Sequence, residues 1–259
     1  MAWDRIVRGY RITVSVVSLI VVESLVFGLA AVPAIGFWRW VGNARTWGPD
    51  LVRTAVLAVS VAPAYIIFSC ALMGLTALAC WAMRWRTPEG EHSLRDLDPN
   101  VLRWAKYSAA THVVRVICGE LFRATPIWRW YLRAMGAKIG KGVHINTAAI
   151  YDINLFTLED HVVIGGRAQL AAHLVEGGYV KAYPTVFRRG STIGTGSIIS
   201  PGVEVGEAGS IGALSFATKH TKVPAHTAYG GVPAKFLKEF EEKPLSDEEL
   251  LYREPTQDE

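Results

Sequence analysis

Seven histidines are spread through the 259 residues, and a neutral imidazole is the side chain best able to take a proton near pH 7. His144 precedes Ile145 and His161 sits at a turn, places that suit solvation or packing; His220 and His226 fall where a repeat ends. His173 differs. It follows Leu170-Ala171-Ala172 at the mouth of a segment that interrupts the repeat, with Glu176 three residues on. Its position makes it the histidine to consider for chemistry.

The frame that would hold it is a ladder with a step of six: Phe187, Ile193, Ile199, Val205, Ile211, Ala217 and Val223, with glycine directly after Ile193, Val205 and Ile211. A helix repeats near 3.6 residues and a strand near 2, so neither makes this period alone. Six is the step of a parallel β-helix, in which each short strand fills one face of a coil. The spacing predicts a mainly β fold, a left-handed parallel β-helix shaped as a triangular prism with an aliphatic axis. Leu158, Ile164 and Leu170 keep the step upstream, as do Ile139 and Ile145, with a one-residue slip near Tyr151 and Asp152. Leu170 and Phe187 are seventeen residues apart, one short of three steps. The segment between them carries Gly177-Gly178 and Pro184, which predicts an excursion from the prism, either functional or ornamental.

Ahead of the prism, residues 12–38 and 54–83 are almost wholly apolar, each longer than the roughly 20 residues needed to cross a bilayer. They predict an N-terminal two-helix transmembrane hairpin, kinked at Pro33 and Pro63, with Trp38, Trp40, Trp47, Trp81 and Trp85 as interfacial anchors. Arg5, Arg8 and Arg11 before the hairpin and Arg84, Arg86, Arg95, Arg103 and Lys106 after it outweigh Arg39, Arg45 and Arg53 between the spans. That balance favours a multi-pass protein of the cell membrane with a cytoplasmic β-helix. Glu23, mid-span, has either a functional role or a structural one, hydrogen-bonded to Tyr65 or a serine of the second span. Residues 87–136 read as a polar linker, a helix from Asp98-Pro99 to about Phe122, and a second from Thr125-Pro126 to Gly136. That second helix carries Trp128, Arg129, Trp130 and Arg133, and lies on the membrane or caps the prism. Residues 137–238 hold the β-helix. Residues 239–259 form an acidic tail, nine acids against two bases in a chain of net charge +4, with Ser246 and Glu249 as a capping box. The basic remainder suits an anionic membrane surface or a phosphate-bearing ligand, and no nucleic-acid module is present. Cys70, Cys80 and Cys118 form neither an even disulfide framework nor a Cys-x-x-Cys pair.

The ladder, the histidine opening an excursion and the run Gly231-Val232-Pro233-Ala234-Lys235 together resemble the left-handed β-helix (hexapeptide-repeat) acyltransferases, over roughly residues 137–238. Three further features are similar to one subgroup, the membrane-embedded tandem β-helix domains that end polylysine-synthetase-like peptide synthetases. These are the apolar hairpin, the Thr125-Pro126…Gly136-Ala137-Lys138-Ile139-Gly140 passage and the His173-Leu174-Val175-Glu176-Gly177-Gly178 passage. The resemblance implies a membrane-anchored transferase moving an acyl group, usually acetyl, from coenzyme A to a hydroxyl or amine. His173 would be the general base; Asn146, Asp152 and Glu176 would lie on the acceptor side. Thr195, Ala213, Thr218 and Lys219 would line the pantetheine arm, with Lys235 and Lys238 near the phosphates. It also implies a homo-oligomer, a trimer in most members. His144, His161 and His173 lack the spacing of the three-histidine site of the carbonic anhydrase branch, so no metal is expected. The soluble sugar acetyltransferases have threonine before and proline after the histidine, where this chain has Ala172 and Leu174. The alternatives are a non-catalytic membrane scaffold and a domain acting on carrier-bound or lipid-linked substrates in peptide or glycan assembly. Replacing His173 with alanine is expected to leave folding intact, since no rung is touched.

Overall fold

A computed structural model describes residues 2–43 and 49–240, with side chains from residue 7 onward. Arg5, Arg45, Trp47, the Ser246–Glu249 capping box and the tail beyond Phe240 lie outside the described side chains. The fold divides into two compact units, one comprising the chain through Trp85 together with Ala105–Cys118, the other Arg86–Trp104 and the chain from Gly119 on.

The first unit is built on α1 (Ala2–Asn43) and α2 (Asp50–Ala82). Both are long and apolar enough to cross a membrane, by length and composition. They run through Pro33 and Pro63 without ending. They pack on each other, with Phe27 edge-on to Phe68 at 5.0 Å. Arg53 donates to the Gly42 carbonyl at 2.9 Å, satisfying an acceptor near the end of α1. Val17, Ile20, Leu25 and Leu29 remain exposed. Tyr65 gives its hydroxyl proton to the Ile117 carbonyl, so that hydroxyl is engaged elsewhere than at Glu23.

In the second unit the chain winds through three parallel sheets in turn. The first comprises Lys138–Ile139, Phe156–Leu158, Thr185–Phe187, Glu204–Val205 and Lys222–Val223. The second comprises His144–Ile145, Val163–Ile164, Thr192–Ile193, Ser210–Ile211 and Thr227–Gly230, closed by the antiparallel strand Lys235–Glu239. The third comprises Ile150–Tyr151, Gln169–Ala171, Ile198–Ile199 and Phe216–Ala217. Every residue of the six-step ladder from Phe187 to Val223 is buried. The rungs stack in register, Leu158 beside Phe187 beside Val205 beside Val223. Stacking of like side chains in consecutive coils is what a constant period produces.

The slip is now located. The third-sheet rung is Ile150, and the corner after it is lengthened by a 3-10 turn, Ile153–Leu155. Leu170 and Phe187 are consecutive rungs, on the third and first sheets, so the interval holds one step plus an insertion rather than nearly three steps. Within the insertion His173–Glu176 and Tyr179–Ala182 form an antiparallel hairpin. Gly177 (φ +61°) and Gly178 (φ +83°) make its two-residue turn, which requires positive φ at both positions. The supposed polar linker supplies a third strand, Gly90–Ser93, pairing Glu91 with Lys181 and His92 with Val180.

Helix α3 (Pro99–Val114) begins where Asp98 accepts from the Asn100 amide at 2.8 Å; a π-helical stretch, Arg115–Gly119, leads into α4 (Glu120–Phe122). Helix α5 (Pro126–Ala134) is capped by Thr125 and covers the first coil. The Trp128 indole donates to the Thr147 carbonyl at 3.2 Å, and Arg133 donates to Ile139 and Gly140 carbonyls at 3.1 and 2.8 Å. A terminal repeat needs such a cover.

Candidate active site

The corner between the third and first sheets carries the chemistry-bearing groups. Asp152 turns it in the first coil with φ +57°, a left-handed conformation that aspartate tolerates better than most residues. Its side chain is fully buried, while that of His173 is 22% exposed. His173 Nδ1 bonds to Asp152 Oδ2, and the Thr87 hydroxyl donates to Asp152 Oδ1 at 2.8 Å. A buried carboxylate facing Nδ1 holds the proton there and leaves Nε2 as the basic nitrogen. The Trp104 ring lies edge-on to the imidazole at 4.9 Å, restricting its rotation. Asn154 fixes the Thr87 backbone on both sides, accepting from its amide at 3.1 Å and donating to its carbonyl at 2.9 Å. An imidazole, a buried carboxylate and a hydroxyl that holds the carboxylate are thus connected.

This geometry revises two expectations. Asp152, expected on the acceptor side, engages both oxygens inside the protein and exposes none of its side chain, its Oδ2 facing His173. Removing the imidazole would strand a buried carboxylate, which costs about 3–5 kcal/mol; the alanine variant would therefore lose stability as well as a base.

The remaining candidates separate onto the two edges of the third sheet. Thr218 and Lys219 share the corner with His173 and Asp152; Asn146, Thr195 and Ala213 occupy the corner between the second and third sheets. Asn146 lies across the sheet from His173, where its Oδ1 accepts from Arg123 at 2.8 Å. Thr195 and Ala213 are exposed on successive coils, and the Thr195 carbonyl accepts from the Leu214 amide at 2.9 Å. Thr218 and Thr221 hydroxyls are 3.1 Å apart. Lys219 reaches the hairpin and donates to Glu176 at 2.6 Å, so the two are paired with each other. That bond, reinforced by Lys181, holds the Glu176 carboxyl below the usual carboxylate range. Glu91 is lowered likewise, first by the Tyr183 hydroxyl donating at 2.7 Å and then by Lys181, and the same bond raises Tyr183. Lys235 and Lys238 are exposed on the closing strand of the second sheet, with Lys238 5.8 Å from the centre of the Phe240 ring. Among the described residues no group of three or more His, Cys, Asp or Glu is placed to hold a metal ion.

Thr87, Trp104 and His92 were not singled out from sequence. Each lies far from the ladder in the chain, and only the strand Gly90–Ser93 and the start of α3 bring them to the hairpin.

No model of a known protein family matches the chain. It is 28% identical over 142 residues to a delta-poly-L-ornithine synthetase of Acinetobacter baumannii, a match spanning 55% of this chain and 11% of the relative. It is 37% identical over 70 residues to a 2,3,4,5-tetrahydropyridine-2,6-dicarboxylate N-acetyltransferase of Enterococcus faecalis, spanning 27% of this chain and 29% of that one. The chain therefore aligns with less than a third of either curated relative. A solved hexapeptide-repeat acetyltransferase of Vibrio cholerae, complexed with acetyl coenzyme A, is 26% identical over 42% of this chain and 63% of its own, with a TM-score of 0.39. By its six-residue ladder and its sequence matches, the chain is similar to the hexapeptide-repeat acyltransferases.

Proposed function

We propose that this protein is a membrane-anchored acyltransferase that moves an acyl group, acetyl in the simplest case, from coenzyme A to a hydroxyl or amine. The observation that carries the reading is the Thr87–Asp152–His173 chain at the point where the hairpin leaves the coils. His173 Nε2 takes the acceptor's proton as its oxygen or nitrogen attacks the thioester carbonyl. The carbon–sulfur bond then breaks, and the proton passes to the departing thiolate. Asp152 keeps Nδ1 protonated and supports the imidazolium that forms meanwhile. Thr195 and Ala213 offer an open edge to the pantetheine arm, and Lys235 and Lys238 offer charge to its phosphates.

On one chain these donor-side residues lie across the third sheet from His173. That separation favours a left-handed prism assembled as a homo-oligomer, a trimer by resemblance, with each site completed by a neighbouring copy. The two apolar helices and the arginine distribution favour a two-span hairpin in the cell membrane with the coils in the cytoplasm, where acyl-coenzyme A is made. The acceptor is a small or lipid-linked molecule.

The test is release of the coenzyme A thiol by the full chain in detergent, compared with His173→Asn, which retains a donor for Asp152 but has no basic nitrogen. Coenzyme A binding with turnover lost in the variant supports the reading; no coenzyme A binding by the wild type points to a non-catalytic scaffold. An alkaline phosphatase fusion after Glu259 that is active outside the cytoplasm would overturn the placement.

A further inference from the structure

Two side chains from outside the coils hold the Asp152–His173 pair, and both belong to one segment, Arg86–Trp104. This strap lies in the second unit, while the chain on either side of it, through Trp85 and from Ala105, belongs to the first. Near its start the Thr87 hydroxyl donates to Asp152 Oδ1 at 2.8 Å. At its last residue the Trp104 ring stands edge-on to His173 at 4.9 Å. Carboxylate and imidazole are thus held separately, one by each end of the same strap.

The strap is itself fixed along its length. Asn154 clamps the Thr87 backbone through hydrogen bonds of 3.1 and 2.9 Å. Strand Gly90–Ser93 pairs with Tyr179–Ala182 of the hairpin, and the Leu94 amide donates to the Gly178 carbonyl at 3.0 Å. His92 Nδ1 lies 3.3 Å from Asp98 Oδ2, just ahead of α3, the helix that carries Trp104.

Its two ends do different work. The Thr87 hydroxyl fixes the direction of the carboxylate, since a bond to a charged oxygen is the stronger kind. The other oxygen then stays on His173 Nδ1. Trp104 acts by shape: its Nε1 is buried without a hydrogen-bond partner, so the ring and not the N–H meets the imidazole. That ring blocks the rotation that would carry Nδ1 away from Asp152. With either contact gone the bond loosens, and the proton is free to sit on Nε2, the nitrogen that must be bare to act as a base.

We infer that Thr87 and Trp104 are positioning residues, and that the strap keeps His173 in the Nδ1–H tautomer. They act through Asp152 and His173 and take no part in binding. The link to turnover rests on the acyl-transfer reading of His173; the tautomer is measurable without any substrate.

The experiment uses the full chain in detergent, isotopically labelled at the histidine nitrogens. Imidazole nitrogen shifts are read at about pH 8.5, where an ordinary imidazole is neutral. The His173 signal is assigned by its loss in His173→Asn. Wild type is expected to show Nδ1–H. Thr87→Val keeps the shape and loses the hydroxyl, and Trp104→Leu loses the ring; each should show a mixture with the Nε2–H form. Thr87→Ser and Trp104→Phe, which restore hydroxyl and ring, should return to the wild-type tautomer. Thiol release from acetyl coenzyme A, with glycerol or putrescine as acceptor, should fall about tenfold in kcat in the first two variants, the worth of one hydrogen bond. Both KM values should be little changed, and neither variant should lower turnover further on the His173→Asn background. A wild-type tautomer in both Thr87→Val and Trp104→Leu overturns the inference. So does a raised KM with kcat intact, or a lower melting midpoint with tautomer and kcat per folded molecule unchanged. Undiminished turnover in His173→Asn alongside the expected tautomer shifts instead removes the acyl-transfer reading and leaves the strap's role standing.

Discussion

The corner between the third and first sheets is built in two ways. In the regular coils it holds Gly202 and His220, at φ +75° and +58°. His220 lies against Gly202, where a Cβ would collide with its Nδ1, and the Tyr183 ring meets it edge-on at 4.5 Å. In the first two coils the same corner holds Asp152, also left-handed, and His173 at the mouth of the hairpin. Two histidines thus occupy the same corner of one scaffold, two coils apart. His220 fills space over a glycine; His173 faces a buried carboxylate and stays partly open to solvent. What distinguishes them is the carboxylate and the insertion, neither of which the six-residue period requires.

The sharpest break of this contrast is His173→Asn, expected to lower thiol release roughly 10²–10⁴-fold, the usual worth of a positioned base. Its denaturation midpoint should remain near wild type, because an amide N–H still meets Asp152. His173→Ala should show the same loss of turnover with an added loss of stability. Equal turnover in wild type and His173→Asn would place His173 alongside His220 as packing.

Next in size is Asp152→Asn. Asparagine keeps the shape and tolerates the left-handed corner, so the change removes chiefly the charge. A hydrogen bond to a charged group is worth about 1.5–3 kcal/mol, or roughly 10–150-fold in kcat. Coenzyme A affinity should be unaffected. A variant with unaltered kcat would mean that Asp152 turns the corner and does nothing else.

Gly202→Ala probes the other corner. A methyl there meets the His220 ring and is held at positive φ, so about 1–3 kcal/mol of stability should be lost. Thiol release per folded molecule should be unchanged. Lost turnover without lost stability would mean that His220 and its corner belong to the site.

The ladder was legible because it depends only on period: Ile193, Ile199 and Ile211 are buried wherever the coils stack. His173 was legible for the opposite reason, as the histidine at the break. The hairpin strands were not, since Leu170 and Phe187 being consecutive rungs is a fact of stacking that a count of intervening residues obscures. Gly-Glu-His-Ser at 90–93 reads as linker in isolation and becomes strand only because Tyr179–Ala182 offers an unpaired edge. The Thr87–Asp152 bond joins residues 65 apart in sequence, so no local pattern could announce it. Asp152 stood at the slip and was placed on the acceptor side by resemblance; its burial and its bond to His173 are visible only in the fold.

The smallest effect concerns what ties the insertion to the regular coils. Glu176, at the hairpin tip, accepts from Lys219 at 2.6 Å and has Lys181 3.7 Å away. Both Glu176 and Lys219 are about half exposed, and exposed pairs contribute little. The Lys219 bond lowers the Glu176 carboxyl from its ordinary 4.5. A carboxyl lowered in the folded state adds stability that is fully present above pH 4.5 and is lost as pH falls through the lower folded value. Glu176→Gln should therefore melt slightly below wild type at pH 7, and the gap should close well below pH 4. Kinetics add a second reading of the same pair. If the link holds the hairpin over His173, the glutamine variant loses some turnover at pH 7 and recovers none of it with added salt, since its charge partner is already gone. Wild type, whose pair salt screens, should decline toward the variant as salt is raised. A melting gap that persists unchanged to low pH would show that Glu176 acts through packing instead of charge.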